Sequence, residues 1–247
     1  MSGILPAWRA AGRDAVRRVR VGSTNDEARA LAKNGAAHGT WVVTEQQTAG
    51  RGRLGRRWEA PDGSALFLSV LLRPELPPTQ VPLLCLGAAE RVASLHPALR
   101  IKWPNDVLLP DGRKVSGILA EAEMEGMDRM SVVVGVGVNL TAAPPLPTAG
   151  CMAELPGWRC SREEVAVAVV EGLLAACRRL EGGDAAGLVA DWSARCGMLG
   201  AHVRVSAGRE VVQGRATRVD ETGTLWVDVD GTEQPVRAGD VEIVRWQ

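Results

Sequence analysis

The segment that most constrains the fold is residues 132–140, VVVGVGVNL. Its β-branched side chains favour extended backbone, and we predict a strand over residues 131–138. Gly135 and Gly137 alternate in this strand, so one of its two faces lacks side chains there. A flat ring fits such a face, with Asn139 beside it as a hydrogen-bonding group. This segment contains neither a GxGxxG motif nor a P-loop, so its glycines do not indicate Rossmann or Walker nucleotide binding.

The remainder of the first 198 residues mixes helical and extended patterns without a strict alternation of strand and helix. Thr24 and Glu27 have the spacing of a helix capping box, and Ser161 and Glu164 repeat it. Apolar periodicity and chain breaks predict helices at residues 24–37, 81–95 and 161–183, and strands at residues 40–44, 64–72, 100–103 and 115–123. Neighbouring strands of the hairpin type favour the α+β class, with a mixed sheet and packed helices.

The pattern changes near Leu199, where we predict a domain boundary. Turn signals such as Asp230-Gly231 separate five short extended segments, at residues 202–206, 211–219, 224–229, 233–236 and 241–246. Short strands at this density are typical of a small SH3-like β-barrel. We therefore expect a larger domain over residues 1–198 and a C-terminal barrel over residues 199–247.

Charge distinguishes a local site from a general polyanion-binding surface. The chain has 29 basic and 29 acidic residues, so its formal net charge is zero. Dedicated nucleic-acid-binding proteins usually have a basic excess, and positive charge in this chain is therefore expected in a local pocket. No apolar run approaches the roughly 20 residues of a membrane span, and the N-terminus, with Arg9, Arg13, Arg17 and Arg18, lacks the apolar core of a signal peptide. We expect a soluble, cytoplasmic protein.

The rarer residue types exclude two kinds of site and point to one region. Five cysteines form no CxxC pair, and the three histidines lie far apart in sequence, so we expect neither a disulfide framework nor a zinc site. Only Lys33, Lys102 and Lys114 are lysines among the 29 basic residues. Lysine offers a compact charge that arginine cannot imitate in a tight pocket, so the region between Lys102 and Lys114 is a candidate for function.

Residues 44–58, TEQQTAGRGRLGRRW, combine glycine with clustered positive charge. The glycines allow close approach of the backbone to a ligand, and the guanidinium groups of Arg51, Arg53, Arg56 and Arg57 can hold carboxylates or phosphates through paired hydrogen bonds. A flexible loop with this charge repels itself when it is empty, which favours a small, multiply anionic ligand. A solvated turn and an RGG-like nucleic-acid patch are the alternatives.

Three further segments carry polar groups at the ends of predicted elements. Residues 23–25, Ser-Thr-Asn, either cap a helix or grip a neutral polar group. Residues 100–107, RIKWPNDV, place Asn105 and Asp106 in a turn after a strand that contains Lys102. Residues 113–121, RKVSGILAE, place Lys114 before a strand in which Gly117 lets a ligand lie against the backbone.

In this order and spacing, the five segments resemble the biotin protein ligases over about residues 20–140, and more loosely over the C-terminal strands. The resemblance implies a fold of the class II aminoacyl-tRNA synthetase/biotin synthetase type. Residues 50–56 are similar to the family's Gly/Arg loop over the biotinyl adenylate, except that Leu54 stands where arginine is usual. We expect this departure to weaken one loop contact to the adenylate and to leave Arg51, Arg53 and Arg56 in place.

The resemblance also implies roles for residues of this sequence. Arg53, Lys102 and Lys114 would be catalytic, and Asp106 would bind Mg²⁺. The implied contacts to biotin are Ser23, Thr24, Asn25, Gln46, Gly50, Arg51, Gly52, Arg53, Lys114 and Gly117. The implied contacts to ATP or the adenylate are Arg51, Arg56, Trp58, Asn105, Gly135, Gly137 and Asn139.

The implied activity is ATP-dependent, AMP-forming ligation of biotin, with Mg²⁺ and without a tightly bound cofactor. Biotin and ATP would form biotinyl-5′-AMP, and biotin would then pass to a lysine of a biotin carboxyl carrier protein domain of a biotin-dependent carboxylase. Because the first motif begins at Ser23, there is no room for an N-terminal winged helix, so we expect no DNA binding. We also expect no membrane association and a monomer or weak homodimer. Two alternatives remain: a lipoate or octanoyl ligase or transferase of the same superfamily, and a non-catalytic RNA-binding protein.

Overall fold

The computed structural model describes residues 8–126, 129–208 and 210–245. The helices are α1 (Thr24–Lys33), α2 (Val81–Ala93), α3 (Arg162–Glu181) and α4 (Ala185–Ala194). The strands before α3 are β1 (Arg9–Ala10), β2 (Arg13–Asp14), β3 (Val16–Arg18), β4 (Trp41–Thr44), β5 (Ala65–Leu72), β6 (Arg100–Lys102), β7 (Asp106–Leu108), β8 (Lys114–Glu125) and β9 (Arg129–Asn139). The strands after α4 are β10 (His202–Ala207), β11 (Glu210–Val219), β12 (Leu225–Val229), β13 (Thr232–Val236) and β14 (Asp240–Arg245).

A seven-stranded mixed sheet, in the order β3-β4-β5-β9-β8-β7-β6, forms the centre of the larger part. β3 runs parallel to β4, and the other neighbours are antiparallel. The predicted glycine-containing strand is β9, in the middle of the sheet, where Gly137 lies opposite Gly117 of β8 and Gly135 lies opposite Ser69 of β5. The α+β class with a mixed sheet is confirmed, and the facing glycines leave a patch of sheet without side chains.

The helices cover the two faces of the sheet unequally. Successive strand side chains point to opposite faces, so β5 sends Leu66 and Leu68 into a large core shared with α2, α3 and α4, and sends Leu71 to the other face. There, Ala28 and Ala32 of α1 pack against it in a much smaller cluster. Because α1 is only 10 residues long, it covers one end of its face, and its first turn reaches Gly135 through Asn25 but does not reach Gly117 and Gly137.

The start and end of α1 differ from the sequence prediction. Ser23, not Thr24, is the N-cap residue, and no side-chain capping bond is formed, so the capping box expected from Thr24 and Glu27 is wrong. The helix ends at Lys33 instead of residue 37, because Gly35 adopts a φ of 80°, in the left-handed region that glycine favours.

The start of α3 follows the prediction. Ser161 Oγ accepts from the backbone N of Glu164 at 3.2 Å, and Glu164 Oε2 accepts from the backbone N of Ser161 at 2.7 Å. This reciprocal pair is a capping box, and the capping box predicted at Ser161 is confirmed.

The C-terminal strands form a five-stranded antiparallel sheet in the order β13-β12-β11-β10-β14. Within the described residues, β13 and β14 are not paired with one another, so a closed SH3-like barrel stays a prediction. The strand predicted over residues 241–246 appears as β14, and its predicted last residue, Trp246, lies outside the described residues.

The C-terminal sheet packs against the larger part of the molecule. The indole of Trp103, which is 1% exposed, donates from Nε1 to the carbonyl of Gly223 at 2.9 Å. Val203 and Val227 of the C-terminal sheet belong to the same apolar core as α2 and α3. The boundary at residues 198/199 therefore stays a prediction, since the core continues across it. None of the described helices is long and apolar enough to cross a membrane.

Candidate active site

A cleft opens over the glycine patch of β8 and β9. It lies between the N-terminus of α1, the Gly/Arg loop of residues 50–58, and Asp240 at the start of β14. The predicted site residues that line it are Ser23, Thr24, Asn25, Arg51, Gly52, Arg53, Arg56, Trp58, Asn105, Asp106, Lys114, Gly117, Gly135 and Gly137. Five segments far apart in sequence thus meet at one cleft.

The floor of the cleft is occupied by the indole of Trp58. A Cβ placed on Gly137 would collide with this indole, and a Cβ on Gly117 would lie 2.9 Å from Trp58 Cζ3. A Cβ on Gly135 would instead collide with Asn25. The sequence predicted a flat ring against these glycines, and in the structure that ring is the protein's own indole over Gly117 and Gly137. Trp58 Nε1 is buried and has no hydrogen-bond partner among the described residues.

The end of the cleft beside α1 is built from neutral polar groups. The backbone N and the hydroxyl of Thr24 both donate to Gln47 Oε1, at 2.7 and 3.1 Å. Ser69, which is fully buried, donates from Oγ to Asn25 Oδ1 at 2.6 Å. These groups can hold a neutral polar ligand through complementary donors and acceptors.

The structure moves one predicted contact by one residue. Gln46, predicted from the resemblance, does not line the cleft, whereas Gln47 does. The Gln46 carbonyl accepts from the backbone N of Val21, and Val21 forms a parallel bridge with Gln47. This pairing sets which of the two neighbouring glutamines faces Thr24.

The Gly/Arg loop folds back on itself as a narrow turn. The backbone N of Gly52 donates to the Arg56 carbonyl at 2.7 Å, and the backbone N of Trp58 donates to the Gly50 carbonyl at 3.0 Å. Leu54 lies at the tip with a φ of 55° and is 72% exposed. Gly50 does not line the cleft, and a Cβ there would collide with the Trp58 carbonyl and lie 2.8 Å from Gln47 Nε2, so this glycine allows both groups to approach the loop backbone.

Carboxylates neutralise three of the four loop arginines. Arg56 binds Asp240, and Arg57 Nε lies 3.1 Å from Glu59 Oε1. Arg51 holds Asp26 with two bonds of 2.6 and 2.8 Å, which raises the pKa of Arg51 and holds the pKa of Asp26 below its usual range.

Arg53 differs from the other three loop arginines. Its NH1 donates to Asn105 Oδ1 and to the Gly239 carbonyl, both at 3.2 Å, and no carboxylate pairs with it among the described residues. The self-repulsion expected of the empty loop is therefore relieved by acidic side chains, except at Arg53.

Two lysines share one carboxylate at the other side of the cleft. Lys114 Nζ lies 2.6 Å from Asp106 Oδ1, and Lys102 Nζ lies 3.5 Å from Asp106 Oδ2. Lys114 Nζ also lies 5.0 Å from the centre of the Trp58 ring, a cation–π distance. Lys102 does not line the cleft and reaches it only through Asp106. The three side chains carry one net positive charge.

The two predicted asparagines have different surroundings. Asn105 lines the cleft, and its amide is held because Nδ2 donates to the Ile118 carbonyl at 2.6 Å while Oδ1 accepts from Arg53. Asn139 is 2% exposed and does not line the cleft; its Nδ2 donates to the Gly150 carbonyl at 3.0 Å. The backbone N of Gly150 donates to the Lys114 carbonyl, so Asn139 supports the backbone of Lys114.

Comparison with known proteins shows which family the sequence around this cleft resembles. Residues 18–139 match the model of the biotin/lipoate A/B protein ligase family. The biotin–[acetyl-CoA-carboxylase] ligase of Mycobacterium tuberculosis is 37% identical over 238 residues, which cover 91% of this chain and 86% of the relative. This chain belongs to the biotin protein ligase family.

Two further relatives complete the comparison. The bifunctional ligase/repressor BirA of Bacillus spizizenii is 42% identical over 125 residues, and this chain spans only 38% of its length. A structure of the biotin protein ligase of Aquifex aeolicus in complex with biotin and ATP superposes with a TM-score of 0.76 at 26% identity, over 94% of this chain and 99% of that one. The family match contains every described cleft-lining residue except Asp240.

The donor set does not fit a metal ion held by protein groups alone. Among the described residues, no cluster of three or more His, Cys, Asp or Glu side chains is placed to bind one. Asp106, the predicted Mg²⁺ ligand, has one oxygen beside Lys114 and the other beside Lys102, and two ammonium groups oppose a nearby divalent cation. Asp106 therefore serves here as the counter-charge of two lysines.

Two side chains that hold cleft residues in place were not predicted from the sequence. Ser69 was not singled out, although it is the one polar residue inside the buried run of β5, ALFLSVLL, and this isolation is a signal. Glu121 ends the predicted motif of residues 113–121, and its carboxylate accepts from Asn25 Nδ2 at 2.6 Å and binds Arg51 at 3.3 Å. Burial raises the pKa of Glu121, but hydrogen bonds from Asn25 and Arg29 outweigh this and lower it from its usual range.

Proposed function

We propose that this protein is an ATP-dependent biotin protein ligase. It forms biotinyl-5′-AMP from biotin and ATP and transfers biotin to a lysine of a carrier protein domain. The support is the family membership, the shared fold with a ligase whose structure contains biotin and ATP, and the cleft itself.

The distribution of charge in the cleft carries the proposal. Arg53 has no carboxylate partner among the described residues, and Lys102 and Lys114 share only Asp106, so two positive charges remain at one side of the cleft. At the α1 end, by contrast, Asp26 and Glu121 balance the charges of Arg29 and Arg51, so these four side chains carry no net charge. Biotin has this same division, with a neutral ureido ring at one end and a carboxylate at the other. We place the ureido ring near Ser23, Thr24, Asn25 and Gln47, and the carboxylate near Arg53 and Lys114.

The first half-reaction joins two anions. A carboxylate oxygen of biotin attacks the α-phosphorus of ATP, the bond from that phosphorus to the bridging oxygen breaks, and pyrophosphate leaves with the electron pair. Fixed positive groups lower the barrier because charge builds on the α-phosphoryl oxygens in the transition state. Lys114 and Arg53 supply these charges, and Asp106 holds the Lys114 ammonium at a fixed position, 2.6 Å away.

The second half-reaction needs no nucleophile from this protein. The amine of the acceptor lysine attacks the carbonyl carbon of the mixed anhydride, the carbon–oxygen bond to AMP breaks, and the amine releases its proton. None of the five cysteines, all of which lie in the described part of the chain, lines the cleft, so no thiol is placed there to accept the biotinyl group. Direct transfer from the adenylate agrees with this chemistry.

The remaining groups complete the ATP side of the proposal. Trp58 would stack against the adenine, with Arg51, Arg56, Asn105, Gly135 and Gly137 around the nucleotide. Asn139 would act through the Lys114 backbone instead of touching ATP. Mg²⁺ would arrive bound to the phosphates of ATP, as is usual for this ion. The carrier domain partner, the cytoplasmic location, the C-terminal barrel and the monomeric or weakly dimeric state remain predictions.

The test is biotin-dependent exchange of labelled pyrophosphate into ATP by the purified protein. We expect exchange with biotin and none with lipoate or octanoate, because the neutral polar groups around Asn25 match a ureido ring. Arg53→Ala should reduce the exchange, while Arg159→Ala, a change in a loop outside the cleft, should not. Exchange with lipoate but not biotin would replace biotin by lipoate as the substrate, and no exchange with any acid would refute the ligase proposal.

A further inference from the structure

Glu121 lies on β8 below the cleft and binds three donors from two other segments. Its Oε2 accepts from Asn25 Nδ2 at 2.6 Å, and Arg51 NH2 lies 3.3 Å from the same oxygen. Its Oε1 lies 2.7 Å from Arg29 NH2. The side chain is 28% exposed, so water only partly screens these interactions. Glu121 thus connects α1, through Asn25 and Arg29, to the Gly/Arg loop, through Arg51.

The first consequence concerns the orientation of the Asn25 amide. Ser69 donates to Oδ1, and Nδ2 donates to Glu121. A flipped amide would place its oxygen against the Glu121 carboxylate, which repels it. The Ser69 hydroxyl alone would tolerate either orientation, because it can donate or accept. The negative charge of Glu121 therefore orients the Asn25 amide, with Nδ2 towards Glu121 and Oδ1 towards Ser69.

The second consequence concerns the position of the loop. Arg51 is the first arginine of the loop, and its guanidinium lies between Asp26 of α1 and Glu121 of β8. The loop thus begins at a fixed point beside Asn25. A change in the position of either Asn25 or Arg51 alters the contacts of the same carboxylate.

We propose that Glu121 is a positioning residue that orients Asn25 and anchors the Gly/Arg loop through Arg51, and so couples biotin binding to ordering of that loop. The inference rests on the proposed function, because it takes biotin as the ligand beside Asn25. Glu121 does not line the cleft, so it acts through Asn25 and Arg51 and not by touching the ligand. The competing explanation is a purely structural ion pair between α1 and β8, in which Glu121 only stabilises the fold.

The chain offers a matched control two residues along the same strand. Glu123 points to the same face of β8, lies 3.7 Å from Lys33, and is 42% exposed. Glu123→Gln removes the same charge from the same strand without touching Asn25 or Arg51. We compare Glu121→Gln with Glu123→Gln by isothermal titration of biotin and, separately, of ATP, and by amide exchange of residues 50–58.

We expect Glu121→Gln to raise the biotin Kd about tenfold, equivalent to about 1.4 kcal/mol. The Kd for ATP alone should change less than about twofold. Amide exchange in the loop should be faster, with less protection on adding biotin. In an Asn25→Ala background the same substitution should change the biotin Kd less than it does in the wild type, because only the route through Arg51 then remains. Glu123→Gln should match the wild type in each measurement.

A wild-type biotin Kd and wild-type loop exchange in Glu121→Gln would overturn the inference. The inference would also be overturned if Glu121→Gln lowered the melting temperature and weakened biotin and ATP binding equally, because Glu121 would then only stabilise the fold through an ion pair. If Glu121→Gln does not fold, Glu121→Asp applies the same test. This variant keeps the negative charge beside Arg29, but its shorter side chain does not reach Asn25. An unchanged biotin Kd in Glu121→Asp would then contradict the inference. Failure of the wild type to bind biotin would refute the proposed function itself, a separate outcome.

Discussion

Replacing Gly117 by alanine tests the floor of the cleft with a single methyl group. The added Cβ would lie 2.9 Å from Lys114 Nζ, 2.9 Å from Trp58 Cζ3 and 3.0 Å from Lys114 Cε. Non-bonded carbon contacts are ordinarily about 3.5–4.0 Å, so both side chains must withdraw by roughly 0.5–1 Å. The two groups that we assign to the phosphate and adenine ends of ATP would therefore move together.

The expected effects on stability and on catalysis differ in size. Overpacking costs about 1–3 kcal/mol, and the lower entropy of the unfolded chain offsets about 0.4–1 kcal/mol of this, so the free energy of unfolding should fall by about 0–2.6 kcal/mol. Lys114 Nζ is now 2.6 Å from Asp106 Oδ1, and a shift of this size would lengthen and weaken that contact. Because a displacement of about 1 Å in a reacting site can cost roughly 10²-fold in rate, we expect biotin-dependent ATP–pyrophosphate exchange to slow by about 10–100-fold.

The control is Gly182→Ala at the end of α3, outside the cleft, where φ is −79° and the nearest contact of the added Cβ is 3.3 Å. Thermal melting and pyrophosphate exchange are measured on both variants. We expect Gly182→Ala to exchange at the wild-type rate. A wild-type exchange rate and ATP KM in folded Gly117→Ala would refute the reasoning, since they would mean that the positions of Lys114 and Trp58 do not matter for the first half-reaction.

Three further predictions follow from individual side chains. Lys114→Arg should slow adenylate formation by about tenfold or more, because a planar guanidinium cannot occupy the site of a compact ammonium. Transfer from supplied biotinyl-AMP should slow less. Wild-type rates in both half-reactions would show that Lys114 does not belong to the site. Arg53→Ala should weaken retention of biotinyl-AMP by about 1.5–3 kcal/mol in a filter-binding assay with an unchanged melting temperature, and an early melt or normal retention would contradict this. Burial lowers the pKa of His38 in the folded protein from its usual 6.5. As the pH drops, the unfolded chain therefore binds a proton at this site before the folded protein does, and the free energy of unfolding should fall below pH 6.5. His38→Asn keeps an acceptor for the backbone N of Arg73, and the melting temperature of this variant should depend less on pH below 6.5. An unchanged dependence would mean that another group causes it.

Local sequence patterns predicted the elements that depend on local forces. The β-branched run around Gly135 forms β9, and the pair Ser161 and Glu164 caps α3, because both outcomes depend on neighbouring residues. α4 was not predicted: it begins just after Gly182-Gly183 and contains Gly187, which weakens its helical signal. Tertiary packing of its apolar side chains, among them the fully buried Trp192, stabilises it instead.

Short strands and buried partners could not be predicted in this way. Asn105-Asp106 has ordinary turn chemistry, yet Asp106 begins β7, because β6 and β8 pair with it on both sides. The partners of Arg51 lie 25 and 70 residues away in sequence, at Asp26 and Glu121. Such pairings depend on the finished sheet and not on any local signal.

The sequence also could not predict which side chains contact one another inside the cleft. The sequence placed a flat ring on the bare glycines but could not indicate that the ring would be Trp58 from the chain itself. The resemblance assigned a biotin contact to Gln46, whereas Gln47 is the glutamine that lines the cleft and accepts from Thr24, because the bridge between Val21 and Gln47 sets which of the two faces it. Most of the residues that meet at the cleft could be predicted from the sequence, whereas their exact partners depend on the fold.

The most direct test of the central claim is the fate of biotin on a carrier protein domain. The purified protein is incubated with a biotin carboxyl carrier protein domain, biotin, ATP and Mg²⁺, and the product is analysed by peptide mass spectrometry. The account predicts one biotinyl group on a single lysine of the carrier, dependent on ATP, with AMP and pyrophosphate released in equal amounts. Release of ADP, or an unmodified carrier in the presence of an active control ligase, would contradict it.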